Sequence, residues 1–384
     1  MDAAGQVYAH VGQAFGPREY DVVVIGAGRM GSLAAHFILC QRPGLRLLLL
    51  DQGGLPSEDG ATLLAPGLWT EFGVPPEHRA AADYTRRLIL GEVSAPQGGL
   101  EGVGLVQRRG LIELLPEAQS GSQPSARMLP RLRPLPAGLL EVDRFPHARF
   151  DPDALTYNAG DLTTCAARRA VAAGADLMLN AQAEPTGSGV TLRRLNVTNT
   201  HQIVVHETHA VRAELVVIAA GAGGPRLAEH SLGTVTHHGQ VYRQTPRLNV
   251  PTDDSTPVIR AAGLTLRPQA AGFKVLTPSP QRDPHGYRPT GGRLSGVPVG
   301  VRREVLQDLL EAMETVSALA TGALELGRSL GEVPGAWLSA PLGGWPCSEA
   351  LTGRHWLLLG GEGADLVGPG VAHTLALELA RQLV

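Results

Sequence analysis

The sequence has one lysine, Lys274, and three cysteines, Cys40, Cys165 and Cys347. Positive charge therefore rests almost wholly on arginine, a compositional bias with no bearing on chemistry. The cysteines are far apart and form no C-x-x-C pair, which argues against a dithiol redox centre or a zinc ribbon. A small, odd number of thiols suits a reducing compartment, so a cytoplasmic location is expected. No apolar run reaches the length of a membrane span. Residues 1–18 lack the basic start and apolar centre of a secretory signal. Charge of one sign is also lacking. The 33 basic and 36 acidic residues give a net charge of -3, which offers nothing to a nucleic acid or an anionic surface. His206 and His209 sit on an alternating segment with no carboxylate–histidine pattern around them, so no metal site is expected.

What is present is glycine, in informative places. Val22, Val23, Val24 and Ile25 form an apolar β-branched run that reads as a buried parallel strand. Gly26, Gly28 and Gly31 follow at G-x-G-x-x-G spacing, with Arg29 and Met30 inside the turn. Ser32–Cys40 reads as a helix, and Leu45–Leu50 as a second buried strand ending at Asp51. Gly26 permits the tight turn, Gly28 lets the backbone approach a pyrophosphate, and Gly31 lets the helix pack close to the sheet. Asp51 is placed to accept hydrogen bonds from a ribose diol. The pattern predicts a dinucleotide site without separating NAD from FAD.

The segment 52–73 reads either as a surface loop or as a loop wrapped over a cofactor. Residues 80–91 read as a helix, Leu105–Leu115 as a strand pair turning at Gly110, and 116–136 as a long loop. Residues 150–183 read as turn, helix and strand, and 190–213 as a β-meander. Glu214–Leu227 reads as a buried strand running into a glycine-rich turn. From Gly233 onward four short strands suggest a second sheet. Arg302–Leu330 reads as a helix with an apolar stripe of Val305, Leu309, Met313 and Val316. His355–Val384 closes with a strand, a glycine-rich turn and a helix. Three strand–glycine units so far apart are most economically one α/β, Rossmann-like domain of discontinuous segments, 1–95, 150–235 and 331–384. Residues 96–149 and 236–330 would form an inserted α+β substrate domain on a mostly antiparallel sheet.

This order of motifs resembles the FAD-dependent D-amino-acid oxidase-like superfamily, which includes glycine oxidase and sarcosine oxidase. The resemblance implies FAD. It places Asp51 and Gln52 at the adenosine ribose, and Ala61 and Thr62 in a Gly-Ala-Ser-like loop near the pyrophosphate. It places the Ala183 backbone at adenine and Ala220 and Gly221 in a turn beneath the cofactor. The amides of Gly361, Glu362, Gly363 and Ala364 would face the flavin ring, with the Glu362 and Asp365 side chains turned away. No second G-x-G-x-x-G unit is evident, so no NAD(P)H domain is expected. Some sarcosine oxidases tether flavin through cysteine near the position of Cys347, but the local sequence here differs, and non-covalent FAD is expected.

The implied activity is oxidation of a C–N bond (amine or amino acid) or a C–O bond of a small molecule by hydride transfer to flavin. Oxygen or another acceptor would then take the electrons. The chain departs from the family at both arginines that hold a substrate carboxylate, where Gln269 and Ala340 stand. The remaining candidates for the substrate pocket are Arg260, Arg267, and a strand that puts His238, Gln240 and Tyr242 on one face and Arg243 on the other. The missing arginines leave a second reading open, a catalytically degenerate flavin-binding protein acting as a subunit or partner.

Overall fold

The computed structural model describes residues 4–16, 18–58, 60–100, 104, 106–132, 135–197, 202–278, 300–321, 323–328 and 332–383. In chain order come β1 (Glu19–Ile25), α1 (Arg29–Gln41), β2 (Leu47–Leu50), α2 (Arg79–Ile89), β3 (Leu111–Leu115), β4 (His147–Asp151) and α3 (Ala159–Ala172). Then follow β5 (Asp176–Met178), β6 (Ala181–Thr186), β7 (Gly189–Val197), β8 (Ile203–Ile218), β9 (Gly239–Gln244), β10 (Val258–Ala261), β11 (Leu264–Gln269) and β12 (Gly272–Leu276). The last are α4 (Arg303–Ala312), β13 (Gly335–Ala340), β14 (Cys347–Ala350), β15 (His355–Leu359) and α5 (Ala364–Gln382).

The largest sheet has a parallel centre, β5–β2–β1–β8. Strand β8 forks it. Its first half pairs antiparallel with β7, while Val216–Ile218 pair in parallel with β15. Apolar residues at every position of Val22–Ile25 and of β2 are required because both faces are covered there. Val22, Val24, Leu47 and Leu49 pack with α1, α3 and α5, while Val23, Ile25, Leu48 and Leu50 join Val190, Leu192 and Val216 on the other face. Helix α3 is held at its start by Asn158, whose side chain accepts hydrogen bonds from Gly160 N (2.9 Å) and Asp161 N (3.3 Å). Asn158→Ala is expected to lower stability by about 1 kcal/mol, read as a shifted urea midpoint with unchanged slope.

A second sheet contains β4–β3–β10–β11–β12 and is antiparallel except where β10 runs beside β3. Alternation gives it two unlike faces. Ile112, Leu114, Ile259, Leu266, Phe273 and Val275 pack on Val305 and Leu309 of α4. Glu113, Arg260, Thr265, Arg267 and Lys274 carry the opposite phase.

Three local readings are corrected. The helix expected over Arg302–Leu330 ends at Ala312; a 3-10 turn, Ser317–Ala320, and a two-residue strand, Leu324–Glu325, follow it. The Thr315 hydroxyl donates to Ala312 O (3.0 Å), giving the chain an alternative to another helical turn. Val305, Leu309 and Val316 are buried all the same; Leu330 lies outside the described residues. Gly110 does turn the chain, at φ 68°, but Gln107–Arg108 pair with Leu155–Thr156 and not with β3. Leu105 lies outside the described residues. Strand β9 joins β13 and not the second sheet. Among the described residues, no helix is long and apolar enough to cross a membrane.

Candidate functional site

A cavity of about 480 Å³ opens at the carboxyl ends of β1, β2, β8 and β15. That is where ligands bind in open α/β sheets. It is lined by Asp51, Gln52 and Ala183, by Gly26, Gly28, Arg29 and Met30, by Ala61 and Thr62, and by Ala220 and Gly221. Gly361, Glu362 and Ala364 also line it, as do Arg243 and Ala336–Ser339 of the β9–β13 ladder.

The glycines of the first turn divide the work. Gly26 has φ 107°, and a Cβ there would meet Ala219 O at 2.5 Å. At Gly28 a Cβ would find only Thr62 Oγ1, at 3.6 Å, so this position is open toward the cavity. Gly31 does not line the cavity. A Cβ there would meet Gly26 O at 1.8 Å, so it sets how closely α1 lies on the turn. Gly363 also lies outside the lining, where a Cβ would meet the Trp345 ring at 2.8 Å. Asp51 accepts from Ala27 N (2.8 Å) and Gly53 N (2.9 Å). Burial raises its carboxyl above the usual range, and those two amides oppose the shift.

A buried ionic network begins at Arg29 of the cavity lining. Arg29 pairs with Asp365, both nearly inaccessible. Burial alone would lower the Arg29 guanidinium, but Asp365 and Tyr157 more than offset it, and its proton is held above the usual arginine range. Thus Asp365 points into the protein. Glu362 does not follow the expectation that it turns away: it lines the cavity and pairs with Arg243. Burial pushes Arg243 down to about 10, which leaves it charged at neutral pH.

The substrate-pocket candidates scatter. His238 is held by Glu349 (Nε2 to Oε2, 2.9 Å) and accepts from Leu342 N (3.0 Å) at Nδ1, so Nε2 carries its proton. Neither it, nor Gln240, nor Tyr242 lines this cavity; Arg243, from the other face of the strand, does. Val241 and Arg243 are the buried phase of β9, and pairing with β13 turns that phase inward. Arg260 is 3.4 Å from Glu113, and Arg267 donates to Tyr157 O (3.1 Å); both lie outside the lining. Cys347 is free, half-buried and outside it too, with its thiol pushed up to about 11 by burial and Glu349.

Lys274 was not among the expected site residues. It reaches the cavity wall from β12 and donates to Leu64 O (2.9 Å) and, at 3.4 Å, to Ala65 O. Burial, with Arg267 and Arg243 nearby, pulls it down to about 8, against Asp365. Its phase opposite Phe273 and Val275 was the available signal, since a lone lysine on a sheet with one apolar face must lie on the other.

A comparison with protein families matches residues 21–347 to the FAD dependent oxidoreductase family, so the chain belongs to that family. Its fold is shared with glycine oxidase from Geobacillus kaustophilus, at 20% identity and TM-score 0.63 over 95% of each chain. L-proline dehydrogenase from P. horikoshii aligns at 15% identity and TM-score 0.66, over 95% of this chain and 94% of that one. L-amino acid deaminase from Proteus myxofaciens aligns at 15% identity and TM-score 0.68, over 100% of this chain and 95% of that one. No curated protein sequence matches the chain.

The cofactor is FAD, and the residues present fit it. The open edge at Gly28 leaves α1 backbone amides available to phosphate. Space beside Gly221 and Gly223, where a Cβ would have no neighbour within 4 Å, leaves room for a ligand along the turn. The Asp51 carboxylate retains acceptor capacity beyond its two amides.

Proposed function

We propose that the protein oxidises a C–N bond of an amine or amino acid, or a C–O bond, of a small molecule with FAD as the two-electron acceptor. The observation that carries this reading is a single cavity joining the first glycine turn to Gly361–Glu362 and the β9–β13 wall. FAD supplies the redox chemistry when bound. The protein's share is to bind it along α1 and to shape the wall where Arg243 and Glu362 sit. A substrate carbon there would lose a C–H bond with its electron pair, and a neutral amine would become an imine with loss of its proton. Oxygen or another acceptor would take the electrons onward. The names glycine oxidase, L-proline dehydrogenase and L-amino acid deaminase support an amine or amino-acid substrate by analogy.

The proposal includes the cofactor contacts given above and a division into 1–95, 150–235 and 331–384 for FAD and 96–149 and 236–330 for substrate. On that division β4 crosses a boundary, and the β9–β13 ladder joins the two units. A cytoplasmic location belongs to the same proposal, supported by the three free cysteines. The test is anaerobic mixing of the holoprotein with a panel of amines, amino acids and hydroxy acids, followed by flavin absorbance. Bleaching by a member of the panel is expected. A flavin that no member bleaches would remove catalysis and favour a partner protein.

A further inference from the structure

In the segment 60–68, Gly60–Thr62 and Leu64–Pro66 line the cavity beside α1, and Ala61–Leu64 form one short helical turn. Its polar contacts go to four separate walls. Thr62 Oγ1 accepts from Arg29 N (3.2 Å), and Leu64 O accepts from Lys274 (2.9 Å). Gly67 O accepts from Tyr157 N (2.8 Å), and Gly67 N donates to Asp365 Oδ2 (2.7 Å). Leu68 N donates to the same oxygen at 3.4 Å. The other oxygen, Oδ1, takes Arg29 and the Tyr157 hydroxyl (3.3 Å). One carboxylate thus touches the segment, α1, α5 and Tyr157 together. The join at Gly67 is tight: a Cβ there would meet Tyr157 O at 2.0 Å.

A segment left without such anchors would have to be ordered when the cofactor binds, and that conformational entropy would come out of affinity. An anchored segment is ordered beforehand.

We infer that Asp365 is a positioning residue for FAD: through Gly67 and Leu68 it holds residues 61–66, with Thr62, against the amino terminus of α1. The inference rests on the reading of the cavity as the FAD site. Asp365 touches the segment and not the cavity, so its effect on FAD passes through Thr62 and its neighbours.

Asp365→Ala alone would leave Arg29 as a buried, unpaired charge and threaten the fold. The comparison is therefore Arg29→Met with Asp365→Asn, which keeps an acceptor for Gly67 N and leaves no buried unpaired charge, against Arg29→Met with Asp365→Ala, both purified as full chains with FAD. Thermal midpoint is followed against FAD concentration. The variant carrying Asp365→Ala is expected to need about fivefold more FAD, or more, for the same gain in midpoint, the loss of the hydrogen bond from Gly67 N. A purely structural role would lower the midpoint equally at all FAD concentrations. Equal FAD dependence in the two variants would overturn the inference and leave the cavity reading intact. No response to FAD in the wild type would overturn both. Should the variants fail to fold, amide exchange in the wild-type holoprotein decides. Slow exchange at Gly67 is expected, and exchange at the rate of an exposed amide would overturn the inference.

Discussion

Gly28→Val is expected to give a folded protein that purifies without FAD. Gly28 has φ -64° and ψ -179°, an extended conformation open to any residue. Its Cβ would make an ordinary contact with Thr62 Oγ1 at 3.6 Å. The fold therefore loses little. The methyl groups enter the cavity at the amino terminus of α1, and a phosphate can no longer approach its amides. Gly31→Val, three residues on, should do the reverse. Its Cβ would strike Gly26 O at 1.8 Å and Ala219 Cβ at 3.1 Å, lifting α1 off the sheet. Such overpacking costs about 3 kcal/mol or more. Flavin absorbance after purification, read beside a far-UV melt, separates the two variants. Full retention of FAD by Gly28→Val would place the pyrophosphate elsewhere.

Lys274→Met is expected to flatten a stability difference that otherwise grows between neutral and alkaline pH. The folded protein holds Lys274 near 8, below its value in an unfolded chain. Between those two values the unfolded chain binds more proton, so stability rises with pH across the window. Below pH 8 the deficit is complete, up to about 3 kcal/mol for a gap of this size. Arg267 and Arg243 disfavour the charged lysine, and Asp365 favours it. Arg243, held at about 10, begins to lose its proton at the top of this range, but it does so in wild type and variant alike and drops out of their difference. Urea unfolding of wild type and variant at pH 7, 8, 9 and 10 measures the effect as their difference. A difference that stays level with pH would mean that Lys274 is solvated.

Much of the fold was legible because it is periodic. Continuous apolar runs at 22–25 and 47–50 mark strands covered on both faces, and G-x-G-x-x-G marks the turn between them and the helix. The parity of β9 was legible too, with Arg243 opposed to Gln240 and Tyr242. Which parity meets the cavity was not, because that is set by pairing with β13, about a hundred residues away. The end of α4 escaped because its apolar stripe continues through Val316 after the helix stops; buried spacing survived a change of backbone. Lys274 escaped for a similar reason. Its acceptors, Leu64 O and Ala65 O, lie more than two hundred residues earlier, and backbone carbonyls carry no sequence signature.

The pair Arg29–Asp365 spans 336 residues of chain. At ribosomal rates of roughly 5–20 residues per second, the first glycine turn waits about 20 to 70 s for its ionic partner. Through that interval α1 exists with a guanidinium destined for a dry interior and no carboxylate to meet it. On the proposed site, FAD capture would therefore be a late event in the making of the protein. The strand–turn–helix that gives the sequence its most visible signature is among the first parts made. It cannot form the complete holding site until β15 and α5 have joined it.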